Sequence, residues 1–215
     1  MADLTFYTNP MSRGQTIRWM LEEVGEPYDT EILGYGGSMK AEPYLSINPM
    51  GKVPAIKHKG RVVTEVAAIC CYLADAYPQA KLAPPPADRA DYYRWIFFTS
   101  GPIEAAFSNK AAGWEPTPER QRMFGYGNYD LAISTLEKAL TGREYIASDH
   151  FTAADLFVGA NVNFMLAFNL LEPTPTFVDY ARRMTDREAY RRARDIDARL
   201  VAEASQAQPS QPQPA

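Results

Sequence analysis

The chain has 215 residues, 46% of them hydrophobic, and a formal net charge of −4. That length and apolar content support a core in one large domain or two smaller ones. The absence of a basic stripe removes the usual footprint for a phosphate backbone, so nucleic acid is not an expected partner.

The first ten residues, "MADLTFYTNP", lack the basic start and apolar centre of a signal peptide, and a cytoplasmic location is expected. Within them "LTFYT" reads as a strand. A helix follows from Ser12 to Val24, with apolar residues at Ile17, Met20, Leu21 and Val24 and a stop at Gly25 and Pro27. Ser12 with Gln15 fits a capping box, in which each side chain satisfies an orphan N–H group. A hydroxyl at a strand-to-helix junction can also steady an anion, because the helix N-terminus carries partial positive charge. A second strand is predicted over Tyr28 to Leu33, then a loop with Gly34, Gly36 and Gly37. "VPAIKH" and "RVVT" pair as a hairpin across Lys59 and Gly60, and a helix runs from Glu65 to Tyr77, ending at Pro78. The order β-α-β, β-β-α suits a small mixed sheet with helices packed on it.

The proline run in "QAKLAPPPADR" breaks helical continuity and is read as a connector. We therefore expect domains over residues 1–80 and 88–202. The second reads as all helical, with periodic segments over 89–111, 118–140, 152–171 and 176–203, the last broken near Thr185. The two cysteines, Cys70 and Cys71, are adjacent in a helical pattern. They form neither a disulfide framework nor a C-x-x-C pair and fit a reducing compartment. Thr152 and Asp155 form a second capping box, flanked by Phe151 and Leu156 at hydrophobic-staple positions. The apolar stretch Leu156 to Leu171 is interrupted by Asn161, Asn163 and Asn169 and is too short for a bilayer, so no membrane association is expected. Residues 203–215 offer nothing to bury and read as a disordered tail.

Only His58 and His150 occur, with no zinc-ligand spacing, so no metal is expected. Asp149 and His150 read as surface loop. "GYGNYD" follows no strand, and neither a P-loop nor G-x-S-x-G is present, which removes nucleotide and hydrolase readings.

Taken in order, "NPMSRG", "NPMGKVPAI", "TEVAAICCYLADAYP" and "FTAADLFVGA" resemble the glutathione transferase family, of bacterial cytosolic type. The resemblance implies a thioredoxin-like N-terminal domain that binds glutathione, an all-helical C-terminal domain, a role in detoxification and a homodimer. It also implies a serine-type site in which Ser12 donates a hydrogen bond to the glutathione thiolate. A free thiol with pKa about 8.5 is only a few per cent thiolate at neutral pH, so lowering it by about two units makes the thiolate dominant. Tyr7 is a competing donor, although a residue inside a strand more often faces core or sheet. For glutathione itself, the resemblance implies a cis bond between Val53 and Pro54, with the Val53 backbone pairing to the cysteinyl unit. It implies Lys40 or Lys52, the latter favoured by "GKVP", at the glycyl carboxylate, and Glu65 with the N–H of Val66 at the γ-glutamyl end.

Many members have Ser where this chain has Val66. A hydrogen bond to a charged group contributes roughly 1.5–3 kcal/mol, so glutathione binding is expected to weaken about tenfold or more unless Thr64 or another group compensates. Met11, Tyr35, Phe107 and Trp114 are candidate walls for a hydrophobic electrophile, with Glu104 and Asn109 within possible reach. The leading expectation is a transferase acting on hydrophobic electrophiles. The alternatives are a non-catalytic ligand-binding or dimeric interaction module, favoured by Val66, and a glutathione-dependent reductase or peroxidase, disfavoured by serine at position 12.

Overall fold

The structure is a computed structural model that describes residues 2–207. Strands β1 (Leu4–Thr8), β2 (Asp29–Ile32), β3 (Ala55–His58) and β4 (Arg61–Thr64) form one sheet in the order β2-β1-β3-β4. β1 runs parallel to β2, while β3 is antiparallel to both β1 and β4. Helix α1 (Gly14–Val24) makes the crossover between the two parallel strands, and α2 (Val66–Ala76) follows the hairpin. This is the thioredoxin-like arrangement, and every other element among the described residues is a helix.

The register decides what the sheet can present. Thr8 pairs with Ile32, Tyr7 with Ala55, and Ala55 with Thr64. The end of β1, the end of β2, the start of β3 and the end of β4 therefore share one edge of the sheet. The loops carrying Ser12, Tyr35, Pro54 and Glu65 all leave from that edge.

Two compact units are present, one built from residues 2–69 with 188–207 and the other from 70–187. In the first, Phe6, Ile17, Met20, Leu21 and Ile56 are buried between sheet and helix. A smaller cluster of Tyr7, Leu33, Met39, Tyr44 and Ala55 fills the opposite side. The last helix, α8 (Glu188–Ala207), packs on α1. Arg18 is buried beneath it, with Nε 2.9 Å from Asp197 Oδ1 and its guanidinium over the Phe6 ring. Burial pushes the Asp197 carboxyl up despite the adjacent cation. Arg192 reaches Glu22 at 3.1 Å, and Trp19 meets Tyr190 edge to face.

The second unit holds α3 (Ala90–Phe98), α4 (Glu104–Ala111), α5 (Tyr129–Leu140), α6 (Ala153–Ala167) and α7 (Pro175–Thr185). Asp155 at the third position of α6 is fully buried and takes four hydrogen bonds, from Ile146 N, Thr152 N, Thr152 Oγ1 and Tyr180 OH. The capping box read from the sequence is thus extended by two further donors. Gly159 lets α7 approach, since a Cβ there would lie 2.7 Å from Met184 Cγ.

Several boundaries differ from the sequence reading, each for a local reason. The segment over 89–111 is interrupted by a π-helical turn at Thr99–Ile103 containing Pro102, whose missing N–H cannot serve an ordinary turn. The segment over 118–140 holds only a short 3-10 turn at Gln121–Met123 before its α-helix starts at Tyr129. Gly127 at φ 69° breaks the run, and the Asn128 side chain caps the new start by accepting from Leu131 N at 2.8 Å. α8 continues through Ala207, past the start of the tail expected from Glu203; residues 208–215 lie outside the described residues.

Candidate functional site

At the β1–α1 junction, the chain turns on Asn9. Its Nδ2 donates to Leu33 O at 2.8 Å, tying β1 to the end of β2, and its Oδ1 accepts from Met11 N at 3.0 Å. The second "NPM" segment repeats the device. Asn48 Nδ2 donates to Lys52 O at 2.8 Å and Asn48 Oδ1 accepts from Met50 N at 3.1 Å. Sequence reasoning quoted both segments without assigning either asparagine. The repeated tripeptide was the available signal, because an amide side chain can close a turn and anchor a distant carbonyl at once.

Ser12 occupies this junction, half-buried, and its side chain is engaged locally. Its Oγ donates to Asn9 O at 2.7 Å and accepts from Gly14 N at 2.9 Å. The capping box expected with Gln15 does not form. α1 begins at Gly14, which lies so close to β1 that a Cβ there would sit 1.9 Å from Thr8 Oγ1. Gln15 Nε2 turns to Pro10 O at 2.6 Å instead. Ser12 Oγ therefore sits two residues ahead of a helix N-terminus, the arrangement that stabilises negative charge.

Tyr7 stands apart from this chemistry. It lies in the small cluster with its ring 5.6 Å from Tyr44, and burial, reinforced by the Glu31 charge, pushes its phenol up. It is a core residue. The cysteines are no better placed as nucleophiles, since burial is the first cause that raises both thiols.

The Val53–Pro54 bond is cis, and so is Glu42–Pro43. The turn before Val53 is fixed by Asn48 Nδ2 and the Tyr44 hydroxyl, both donating to Lys52 O. Lys40 lies across the same turn, its Nζ 3.2 Å from Met50 O. Gly51 makes this possible, because a Cβ there would come within 2.9 Å of Lys40 Cδ. Lys52 has an exposed side chain. Glu65 caps α2, accepting from Ile69 N at 2.9 Å while holding φ 67°, and Val66 is the first helical residue. The register thus brings Ser12, Val53, Pro54, Glu65 and Val66 to one sheet edge, with Lys40 and Lys52 on the turn beside them.

Met11 and Tyr35 are both exposed and meet through Tyr35 OH, which donates to Met11 O at 3.1 Å. In the helical unit Phe107 is buried against Phe164, with ring centres 6.0 Å apart, while Trp114 is exposed and lies edge-on to Phe124. Asn109 is committed to the Tyr126 hydroxyl at 2.9 Å. Among the described residues no group of three or more His, Cys, Asp or Glu is arranged for a metal ion. No helix there is long and apolar enough to cross a membrane.

A four-stranded thioredoxin-like sheet with a cis-proline turn, a polar strand-to-helix junction and a following helical region defines the fold class to which the chain belongs. Comparison narrows that class. The family model for the glutathione S-transferase N-terminal domain matches residues 11–76. Glutathione S-transferase 1 of Schizosaccharomyces pombe is 30% identical over 158 residues, covering 67% of this chain and 68% of its own. Among solved structures, a glutathione transferase from Methylococcus capsulatus superposes with a TM-score of 0.74 at 24% identity, covering 91% of this chain and 98% of its own. A glutathione transferase homologue from Sulfitobacter with bound glutathione gives 0.72 at 21% identity, covering 91% and 99%. The chain belongs to the glutathione S-transferase family.

Proposed function

We propose that the protein binds glutathione along the cis-proline edge of its sheet, activates the thiol at the start of α1, and joins the sulfur to a hydrophobic electrophile. The observation that carries this reading is the shared strand register, which supplies complementary groups for each part of the tripeptide at one edge. Glu65 faces the ammonium end, and the α2 N-terminus at Val66 suits the glutamyl carboxylate. The Val53 backbone extends the sheet to the cysteinyl unit. Lys40 and Lys52 suit the glycyl carboxylate. In the reaction the thiol loses its proton to water, the thiolate forms a carbon–sulfur bond, and the leaving group departs with its electron pair.

Ser12 serves this step by exchanging its bond to Asn9 O for one to the sulfur. Both the hydroxyl and the helix N-terminus favour the charged form of the thiol and so lower its pKa. Met11 and Tyr35 remain proposed walls for the electrophile beside Ser12, and Phe107 and Trp114 stay candidates on the strength of the family resemblance. A homodimer working in the cytoplasm, in detoxification, completes the proposal.

The test is the ultraviolet absorbance of bound glutathione thiolate titrated over pH, repeated with Ser12→Ala. An apparent pKa well below that of free glutathione, raised in the variant, is expected. No protein-dependent signal at saturating glutathione sinks the reading. One feature favours a non-catalytic binding module instead: Val66 offers its N–H to the glutamyl carboxylate but no hydroxyl. A reductase or peroxidase is disfavoured, because position 12 is serine and burial raises both cysteine thiols.

A further inference from the structure

Gln15, the second residue of α1, joins two elements remote in sequence. Its Nε2 donates to Pro10 O at 2.6 Å, and its Oε1 accepts from Arg194 Nη1 on α8, also at 2.6 Å. The chemistry fixes which way the amide faces, because a guanidinium can only donate and a carbonyl can only accept. A primary amide of this length meets both demands together. An ionised glutamate accepts from the arginine but has nothing to donate to Pro10, and a lysine fails at the arginine. The charge-assisted bond from Arg194 also polarises the amide and strengthens the bond it donates on the far side.

The carbonyl it holds belongs to the segment carrying Ser12. Asn9 O, one residue before Pro10, accepts from both the Ser12 N–H at 3.0 Å and the Ser12 hydroxyl at 2.7 Å. Moving Pro10 therefore moves Asn9 O, which keeps the Ser12 N–H when the hydroxyl turns to the sulfur, and so moves the backbone that carries the hydroxyl. Arg194 is not needed to dock α8. The buried Arg18–Asp197 pair, Arg192 on Glu22, and Trp19 against Tyr190 already hold the two helices together. Arg194 is exposed; its Nη1 donates to Gln15 Oε1, and its charge also favours the ionised form of Asp197.

We propose that Arg194, acting through Gln15, is a positioning residue for the Ser12 turn, so that the last helix helps set the activation of the glutathione thiol. The inference rests on the thiolate reading above. It assigns no contact between Arg194 and glutathione.

The experiment compares the unsubstituted protein with Arg194→Met, Arg194→Lys and Gln15→Glu. Bound-thiolate absorbance is read over pH, together with steady-state kinetics against an aryl halide and the thermal midpoint. For Arg194→Met we expect a raised apparent thiol pKa and a fall in kcat of about three- to tenfold, with KM for glutathione within about twofold, as displacement of a reacting group produces. Arg194→Lys, which still donates to Oε1, restores most of the loss. Gln15→Glu keeps the arginine contact but repels Pro10 O, and behaves like Arg194→Met. The thermal midpoint of Arg194→Met stays close to that of the unsubstituted protein.

Three results overturn the proposal. Thiolate in the unsubstituted protein with an unchanged pKa and kcat in Arg194→Met defeats it while the thiolate reading stands. A kcat loss that follows a lowered midpoint and is not restored by lysine reduces Arg194 to a structural role. Absence of thiolate even in the unsubstituted protein defeats the thiolate reading, and the positioning role falls with it.

Discussion

Glu65 combines a left-handed backbone with a side chain that a helix cap does not require. With φ 67° it occupies a region that costs a residue bearing a Cβ about 1–2 kcal/mol. Glycine would relieve this strain, and its larger loss of chain entropy offsets part of the gain. Glu65→Gly is therefore expected to change stability by about 1 kcal/mol or less while weakening glutathione binding about tenfold or more, the loss of a charged hydrogen bond. Calorimetric titration beside thermal unfolding checks the split. A large stability loss with unchanged affinity would make Glu65 a purely structural cap. At this scale the sequence was legible where a residue's role is local. Ser12 at its junction was recognisable from neighbouring residues, whereas the cis bond at Pro54 came only through the family resemblance, because an X–Pro bond read alone favours trans. Gln15 was misread because the capping-box pattern assumes a helix starting directly after Ser12. Turns closed by Ser12 N–H on Asn9 O and Gln15 N–H on Ser12 O precede the helix, and Arg194, far along the chain, claims the amide oxygen.

Among the elements, α6 shows how a sequence motif can understate its structural consequence. T-x-x-D predicts one reciprocal cap, yet Asp155 also gathers the Ile146 N–H and the Tyr180 hydroxyl, connecting the preceding loop and α7 to the start of α6. Burial pushes its carboxyl up against the pull of all four donors. Asp155→Ala leaves buried donors without acceptors, and each such group costs about 1–3 kcal/mol. We expect a loss of about 3 kcal/mol or more, a fall in thermal midpoint of roughly 6–12 °C for a chain of this size. Urea unfolding of the variant measures it. A loss under about 1 kcal/mol would mean the site relaxes to admit water. The start of α5 was misplaced for the converse reason. The apolar period continues upstream of Asn128, but periodicity carries no record of the positive φ at Gly127 or of the cap that follows it.

At the scale of the molecule, the first compact unit is discontinuous, closed by a helix that begins more than a hundred residues after its sheet ends. A linear reading cuts the chain at the proline run, because composition changes there. Nothing in the amphipathic pattern of 188–207 names the surface it will cover. Arg18 was the available clue, since a cation on the buried face of an amphipathic helix requires an anion from elsewhere. Asp197 supplies it through a single contact, for Arg18 Nη2 and Asp197 Oδ2 have no hydrogen-bond partner. Removing residues 188–215 takes that anion away and uncovers Trp19, which is 1% exposed in the intact chain. Loss of one partner from a buried ion pair alone costs about 3–5 kcal/mol, before the apolar surface is counted. Truncation after Arg187 is therefore expected to abolish slow hydrogen exchange in α1 and β1, while amides of α5, α6 and α7 keep their protection, because their bonding lies within residues 70–187. Exchange measured by mass spectrometry on the full and truncated chains decides the matter. Equal protection of α1 in both would show that the sheet and α1 fold without the last helix, and the link from Arg194 to the Ser12 turn would then act on an element already stable without it.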